Sequence, residues 1–382
     1  MATILVLGAK VPYTSGGQEV LLSSLVRELK ARGHLVDTVE LPFTPHPKER
    51  LLTQAAMWRS LDLTEFAGQK VDLVIATKFP TYYAKHRHKS VWLVHQHRSL
   101  YDLYGSRYSD ISDDPRDEAL RRMLVDGDRQ VLSECAFRSG ISENVVRRLQ
   151  NYNQLEAEVL YPPLPFAGKY RSESFRPYVL SVGRICSIKR VDLMLKAMPM
   201  VHQFVKLKVV GTPDEPGIME YFKNEIDKHH LWERVEFLGR VSDEDLIELY
   251  ANAGVVYYAP HDEDYGYVTL EAMASGRPVV TASDSGGCLE FVRHNETGLV
   301  LAPTSDAMGH AVNRLVEDPD LAARLGAEGA KRIEKLGMSG RTAQEAWDVL
   351  IARLLSPLAS PRSREETERA VPRSPLRQMA RA

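Results

Sequence analysis

The chain has 382 residues, 44% of them hydrophobic, which is apolar material for two globular cores at roughly 150 residues per domain. Lysine and arginine (49) nearly balance aspartate and glutamate (51), so no overall basic field marks nucleic acid as a partner. Cys135, Cys186 and Cys288 are scattered thiols without CxxC spacing, which excludes a disulfide framework or a spaced zinc site and fits a reducing compartment. The opening MATILVLGAK has a short apolar run and no basic region ahead of it, so it predicts a buried first strand. No apolar stretch reaches the ~18 residues that suggest a membrane span, and a cytoplasmic protein is expected.

In chain order, TILVLG (3–8) reads as a strand, EVLLSSLVRELKARGH (19–34) as an amphipathic helix and LVDTVEL (35–41) as a second strand. That order is the unit of a parallel sheet with crossover helices. Strands are expected over 71–77, 91–95 and 137–142, with a helix over 143–151. Three prolines in YPPLPFAGKY (161–170) predict a linker. The pattern then restarts. Strands are expected over 178–184, 205–211 and 235–240 and in GVVYYAP and RPVVTAS, with helices in VDLMLKAMPMVHQF and DEDLIELYANA between them. The expected domains are 1–163 and 164–340, followed by a helix over 341–356 and a tail over 357–382. Four prolines, and six arginines against three glutamates, predict a disordered tail with at most weak attraction to anionic lipid. Two doubly wound α/β domains joined by a short hinge imply a cleft between them, with ligands at the C-terminal ends of the strands.

The loops after the strands therefore carry the chemistry. GAKVPYTSGGQEV (8–20) lacks the GxGxxG spacing of a dinucleotide site, but Gly16 and Gly17 precede a helix whose first amides suit an anion. In VGRICSIKR, Arg184 and Lys189 follow a strand and supply two cations for a diphosphate; Arg190 beside them reads as further solvated charge. HDEDYGYVTLEAMASGRPVV (261–280) sets Glu263 on a loop and Glu271 on a helix. Between them the amides of Tyr267, Val268, Thr269 and Leu270 open toward a phosphate. A carboxylate such as Glu271 can accept two vicinal ribose hydroxyls, while Glu263 can hold hydroxyls of the transferred sugar. Taken singly, Glu271 reads better as a helix-start residue and Glu263 as a surface charge.

In this order, Gly16-Gly17, Arg184 with Lys189, and Glu263-x7-Glu271 followed by EAMASGRPVV resemble the retaining family 4 glycosyltransferases of GT-B fold, over about residues 1 to 355. The resemblance implies a nucleoside-diphosphate-sugar donor, UDP- or GDP-linked, and no metal. It puts Arg184 and Lys189 on the diphosphate, Glu271 on the ribose, Glu263 by the transferred sugar and Gly239-Arg240-Val241 near the base. It also implies that the helix over 342–355 crosses back to the N-terminal domain. The family's strand-end histidine has two matches in VWLVHQHRSLYDLYG: His95 ends the strand, while His97 can instead face the acceptor with Arg98 and Tyr101. Tyr13, Phe79, Tyr82 and Tyr83 are further aromatics suited to stacking on a hydroxylated acceptor, or to plain packing.

Two other readings compete. A glycosidase would use two carboxylates but has no task for Arg184, Lys189 and the amides. Four DxD matches, Asp126-Gly-Asp128 among them, lie in unlike contexts and read as chance, so they do not point to a metal-dependent transferase. A non-catalytic nucleotide-sugar binder on the same scaffold is the alternative from another class.

Overall fold

Apolar runs alternating with helical stripes fold into two parallel sheets, because parallel neighbours need a crossover and the crossover is a helix. The computed structural model describes residues 1–12, 16–66, 68–338, 340 and 342–359. They divide into two units, Met1–Pro165 with the chain from Glu345, and Phe166–Gln344.

The first unit runs β1 (Thr3–Lys10), α1 (Gly17–Ala31), β2 (Leu35–Pro42), α2 (Arg50–Ser60), a hairpin β3 (Glu65–Phe66) and β4 (Gln69–Lys70), then β5 (Leu73–Lys78) and β6 (Lys89–His95). It continues with α3 (Pro115–Ser133), β7 (Phe137–Gly140), α4 (Glu143–Asn153) and β8 (Glu158–Val159). Its sheet is ordered β2-β1-β5-β6-β7-β8 and is parallel throughout. Every residue of β5 is buried, as expected of a central strand covered on both faces. The strand order reverses between β1 and β5, so the loops leaving those strands part and open a crevice.

The last helix, α11 (Thr342–Leu354), belongs to this unit through Trp347, Leu350, Ile351 and Leu354, all buried. The Trp347 ring meets Trp92 of β6 edge-on at 6.1 Å, and Arg353 Nε donates to Glu158 at 2.9 Å. Ser90 Oγ donates to the Leu354 carbonyl at 2.7 Å, satisfying one of the open carbonyls at the end of α11. Ser90→Ala is therefore expected to destabilise the chain by about 1–2 kcal/mol, read from urea unfolding. Wild-type stability would show that the helix end is solvated in another way. Of the tail expected from residue 357, residues 360–382 lie outside the described residues. Its first residues form a 3-10 turn, Ser356–Leu358, with Pro357 buried.

The second unit runs β9 (Arg176–Val182), α5 (Val191–Ala197), β10 (Lys206–Val210), α6 (Ile218–Lys228), β11 (Val235–Gly239), α7 (Asp243–Asn252) and β12 (Ala253–Tyr257). It ends with α8 (Tyr267–Ala274), β13 (Val279–Ala282), β14 (Gly298–Leu301), α9 (Ser305–Glu317) and α10 (Pro319–Lys335). The sheet is parallel in the order β11-β10-β9-β12-β13-β14, with its reversal between β9 and β12. Val179, Leu207, Val209, Val255 and Val280 of the strands pack with Met194, Leu195, Met308 and Val312 of the helices. Each such side chain contributes roughly 1.5–3 kcal/mol on burial. The loops after β9 and β12 carry Arg184, Lys189 and Glu263, and α8 after β12 carries Glu271, so the reversal point gathers these residues singled out in the second half of the chain. Among the described residues no helix is long and apolar enough to cross a membrane.

Candidate active site

Within the second unit, β9 ends at Val182 and the chain turns through Gly183 and Arg184 into a 3-10 turn, Ser187–Lys189. Lys189 Nζ pairs with Glu263 Oε2 and donates to the Tyr258 hydroxyl at 2.9 Å. The same hydroxyl donates to Glu263 Oε2 at 2.9 Å. The Lys189 and Glu263 side chains keep only 14% and 16% exposure, so cation and carboxylate are largely screened from water but still reachable. Burial and the neighbouring Glu263 carboxylate push the Tyr258 phenol well above its ordinary range, so it stays a neutral donor. Arg184 stands apart. Its side chain is 46% exposed and its guanidinium pairs with Asp214.

Arg190, read from the sequence as solvated charge, is 5% exposed and overturns that reading. Its Nε donates to the Ala259 carbonyl at 2.7 Å and its Nη2 to the Pro260 carbonyl at 2.6 Å. The same fork grips Asp284 at 2.7 and 2.8 Å, and the Tyr257 hydroxyl closes on the Arg190 carbonyl at 2.7 Å. One side chain thus ties the turn bearing Lys189 to the strand end leading to Glu263. The backbone there is forced: Arg190 (φ 53°) and Asp262 (φ 43°), directly beside Lys189 and Glu263, adopt left-handed conformations unusual for residues other than glycine. Gly286 lies across from them at φ 58°, and a Cβ there would sit 2.6 Å from the Glu263 carbonyl.

Gly266 (φ 86°) starts α8, and a Cβ at that position would meet the Cys288 Sγ at 2.6 Å. Of the four amides expected to be open, that of Thr269 is instead bonded to the Gly266 carbonyl at 3.0 Å, because the first turn of α8 closes tightly. Tyr267 and Val268 are the first-turn residues ahead of it. Glu271 is 8% exposed, and its carboxylate accepts the Tyr250 hydroxyl at 2.8 Å and that of Tyr170. Burial pushes its carboxyl up against those bonds. The expected ribose acceptor is therefore a carboxylate held by two phenols. At the end of β11, Gly239 (φ 63°) leads into exposed Arg240 and half-buried Val241.

Within the first unit, Gly16 caps α1 in an extended conformation open to any residue, and its amide donates to Glu19 at 2.8 Å. That amide is occupied by the protein's own carboxylate, which corrects the expectation of a bare amide at Gly16; Gly17 opens the helix. Tyr13 lies outside the described residues. At the end of β5, Lys78 donates to Gln18 of α1. His95 ends β6 with Nδ1 2.6 Å from the Gln96 carbonyl. His97 packs against Phe79 and Phe43, with ring centroids at 5.7 and 6.2 Å, and burial lowers its pKa to about 4. Arg98 is tied to Asp102 at 2.5 and 2.8 Å. Tyr101 and Tyr82, at 1% and 0% exposure, donate to buried Asp128 at 2.6 and 2.7 Å. Phe79, Tyr82, Tyr83 and Tyr101 are all buried, which is the packing alternative for the first three and differs from the acceptor-facing expectation for Tyr101. Asp128, dismissed with the DxD matches, holds them from below. Its signal lay in the stripe Leu120, Leu124, Asp128 and Val131, an aspartate on the buried face of a helix.

Among the described residues no three His, Cys, Asp or Glu side chains gather as metal ligands. A pair of doubly wound α/β units with loop-borne cation and carboxylate at the reversal point of the second sheet defines the GT-B class. Residues 167–332 match the model of the family glycosyl transferases group 1. The chain is similar to the GDP-mannose-dependent alpha-(1-6)-phosphatidylinositol monomannoside mannosyltransferase of Mycobacterium tuberculosis, 33% identical over 187 residues, 47% of this chain and 46% of that protein. The chain spans less than half the length of the curated relatives it matches. In fold it resembles sucrose-phosphate synthase from Thermosynechococcus elongatus (TM-score 0.76, 19% identity, 93% of this chain and 100% of that one). It also resembles Anabaena HepE in complex with UDP-glucose (TM-score 0.68, 18% identity, 92% and 100%).

Proposed function

We propose that the protein is a retaining glycosyltransferase that moves a hexose from a UDP- or GDP-linked donor to a hydroxyl of a glycan, lipid-linked or small-molecule acceptor. The Lys189–Tyr258–Glu263 cluster carries this reading. It sets a cation for the leaving diphosphate beside a carboxylate for the sugar, at the point of the sheet where α/β folds bind ligands. Arg184 supplies the second cation, and in this scheme the two side chains and the first amides of α8 take the place of a metal ion on the leaving group. Glu271, held by its two phenols, is the ribose partner, and Gly239 to Val241 border the base. Relatives and neighbours named for GDP-mannose and UDP-glucose support a nucleotide sugar of either base. Retention proceeds on the donor's front face, the leaving phosphate helping to deprotonate the acceptor, so no protein nucleophile is used. His95 stands by the reacting carbon and the protein works in the cytoplasm.

The test is a thermal-shift screen of UDP- and GDP-sugars, then transfer assays with the stabilising donor and NMR of the product. One donor raising Tm at millimolar concentration and giving product with unchanged anomeric configuration is expected. Inverted product overturns the mechanism. Stabilisation without turnover on any hydroxylated acceptor, or even on water, favours a non-catalytic binder.

A further inference from the structure

Two carboxylates from a neighbouring loop already sit on the turn whose cations the proposed reaction gives to the diphosphate. β9 and β10 are parallel neighbours, and the chain stays paired beyond the strands. The Gly183 amide donates to the Val210 carbonyl at 2.9 Å, that of Ile185 to Thr212 at 2.9 Å, and that of Asp214 back to Ile185 at 3.1 Å. The approach is close: a Cβ on Gly211 would fall 1.9 Å from the Gly183 carbonyl oxygen. The loop after β10 reads GTPDEPG (211–217), and Pro213 and Pro216 stiffen the backbone on either side of Asp214 and Glu215. The acidic pair therefore has a set place beside Arg184, although residues 212–217 are all exposed.

The Arg184 guanidinium pairs with the Asp214 carboxylate, and the Glu215 carboxylate accepts the Ser187 amide at 2.7 Å. Lys189 is paired with Glu263 in the same way. Each cation expected on the leaving diphosphate thus faces a carboxylate of the chain itself, two positive charges against two negative. The pairs differ in how firmly they are held. Lys189 and Glu263 keep 14% and 16% exposure, whereas Arg184 and Asp214 keep 46% and 33%. A pair so open to water contributes little to the fold. With both backbones fastened, Asp214 can leave Arg184 by side-chain rotation alone, and a second anion that prefers the open arrangement drives that exchange.

We infer that Asp214 and Glu215 set the affinity for the nucleotide. Asp214 holds the place of a phosphate on Arg184, gives way when the donor binds and returns as the nucleoside diphosphate leaves; Glu215 pins the loop to Ser187 so that the exchange stays within reach. The inference rests on the proposed place of Arg184 on the diphosphate. The observed affinity is then the intrinsic one reduced by the fraction of molecules in which Arg184 is open, and the Asp214 charge adds repulsion toward the incoming phosphates. Removing that carboxylate tightens binding, the reverse of what damage to a binding loop does.

Isothermal titration of UDP and of GDP into the full chain is the test, and it needs no acceptor. For Asp214→Asn, the Kd of the nucleotide that binds wild type is expected to fall about threefold to tenfold, with donor KM falling by a similar factor and kcat no higher than wild type. Asp214→Glu keeps the charge and is expected to stay near the wild-type Kd. In an Arg184→Ala background Asp214→Asn is expected to lose most of its effect, because the cation under competition is gone. Glu215→Ala repeats the test from the second position should Asp214→Asn fold poorly, and it is expected to tighten the same Kd. If Arg184→Ala weakens binding while Asp214→Asn binds no tighter than wild type, the competition is overturned and the diphosphate role of Arg184 stands. A Kd that Arg184→Ala leaves untouched, or no binding of either nucleotide to any of these proteins, removes both.

Discussion

Lys189→Ala is expected to lower transfer by a factor on the order of 10² to 10³, about 3–4 kcal/mol of transition-state stabilisation, with most of the loss in kcat. Its ammonium sits between the Tyr258 hydroxyl and the Glu263 carboxylate at 14% exposure, where a charge on a leaving diphosphate would be poorly screened by water. A cation needed only as charge separates on the donor acts on turnover, whereas one that merely holds bound nucleotide would raise KM alone. The variant also deprives Glu263 of its cation, so Lys189→Ala and Glu263→Gln are expected to be strongly non-additive in a double-mutant cycle. Arg184→Ala is expected to cost less, because that side chain is 46% exposed and already shared with Asp214. Steady-state transfer with saturating acceptor makes the comparison. A Lys189→Ala enzyme within threefold of wild type would remove the cluster from the reaction.

How much of this was legible in the sequence depends on how local each signal is. The inner strands were readable because a strand covered on both faces carries a run of buried apolar residues, as Leu73 to Ala76 and Tyr178 to Leu180 do. The four-residue β14 is too short to show a period, whereas α9 and α10 do carry one, Met308, Ala311, Val312 and Leu315 in the first and Leu321, Ala322 and Leu325 in the second, that the sequence reading passed over. The loop positions of Lys189 and Glu263 followed from strand order, but their partners did not. Glu271 reads as a carboxylate favoured by a helix start, and nothing local announces that Tyr170 and Tyr250 will close on it. Asp128 sits two residues from Asp126, and only the helix separates them, turning one into solvent and the other into the core. Long-range polar pairing is what a linear reading misses, because hydrogen-bond partners carry no sequence period.

Arg190 is the sharpest instance, and it leads to the second large effect. Arg190→Lys keeps the positive charge and the long aliphatic stem but replaces a planar five-donor fork with a point charge. The native side chain serves two carbonyls and both oxygens of Asp284 at once, over distances of 2.6 to 2.8 Å. An ammonium cannot span that set. Asp284 also accepts from His261 at 3.3 Å, and its backbone carbonyl receives the Asp262 amide at 2.8 Å, so the grip extends to the residue before Glu263. Breaking a buried pair costs about 3–5 kcal/mol, and because the Asp284 side chain is 38% exposed the expected loss in urea unfolding is nearer 2–4 kcal/mol. Transfer is expected to fall about tenfold or more in the molecules that remain folded, since Lys189 and Glu263 are held in register through this side chain. Wild-type stability for Arg190→Lys would show that charge alone suffices at this position. Lower stability with unchanged kcat would confine Arg190 to the fold and leave the geometry of Glu263 to the strained turn at Asp262.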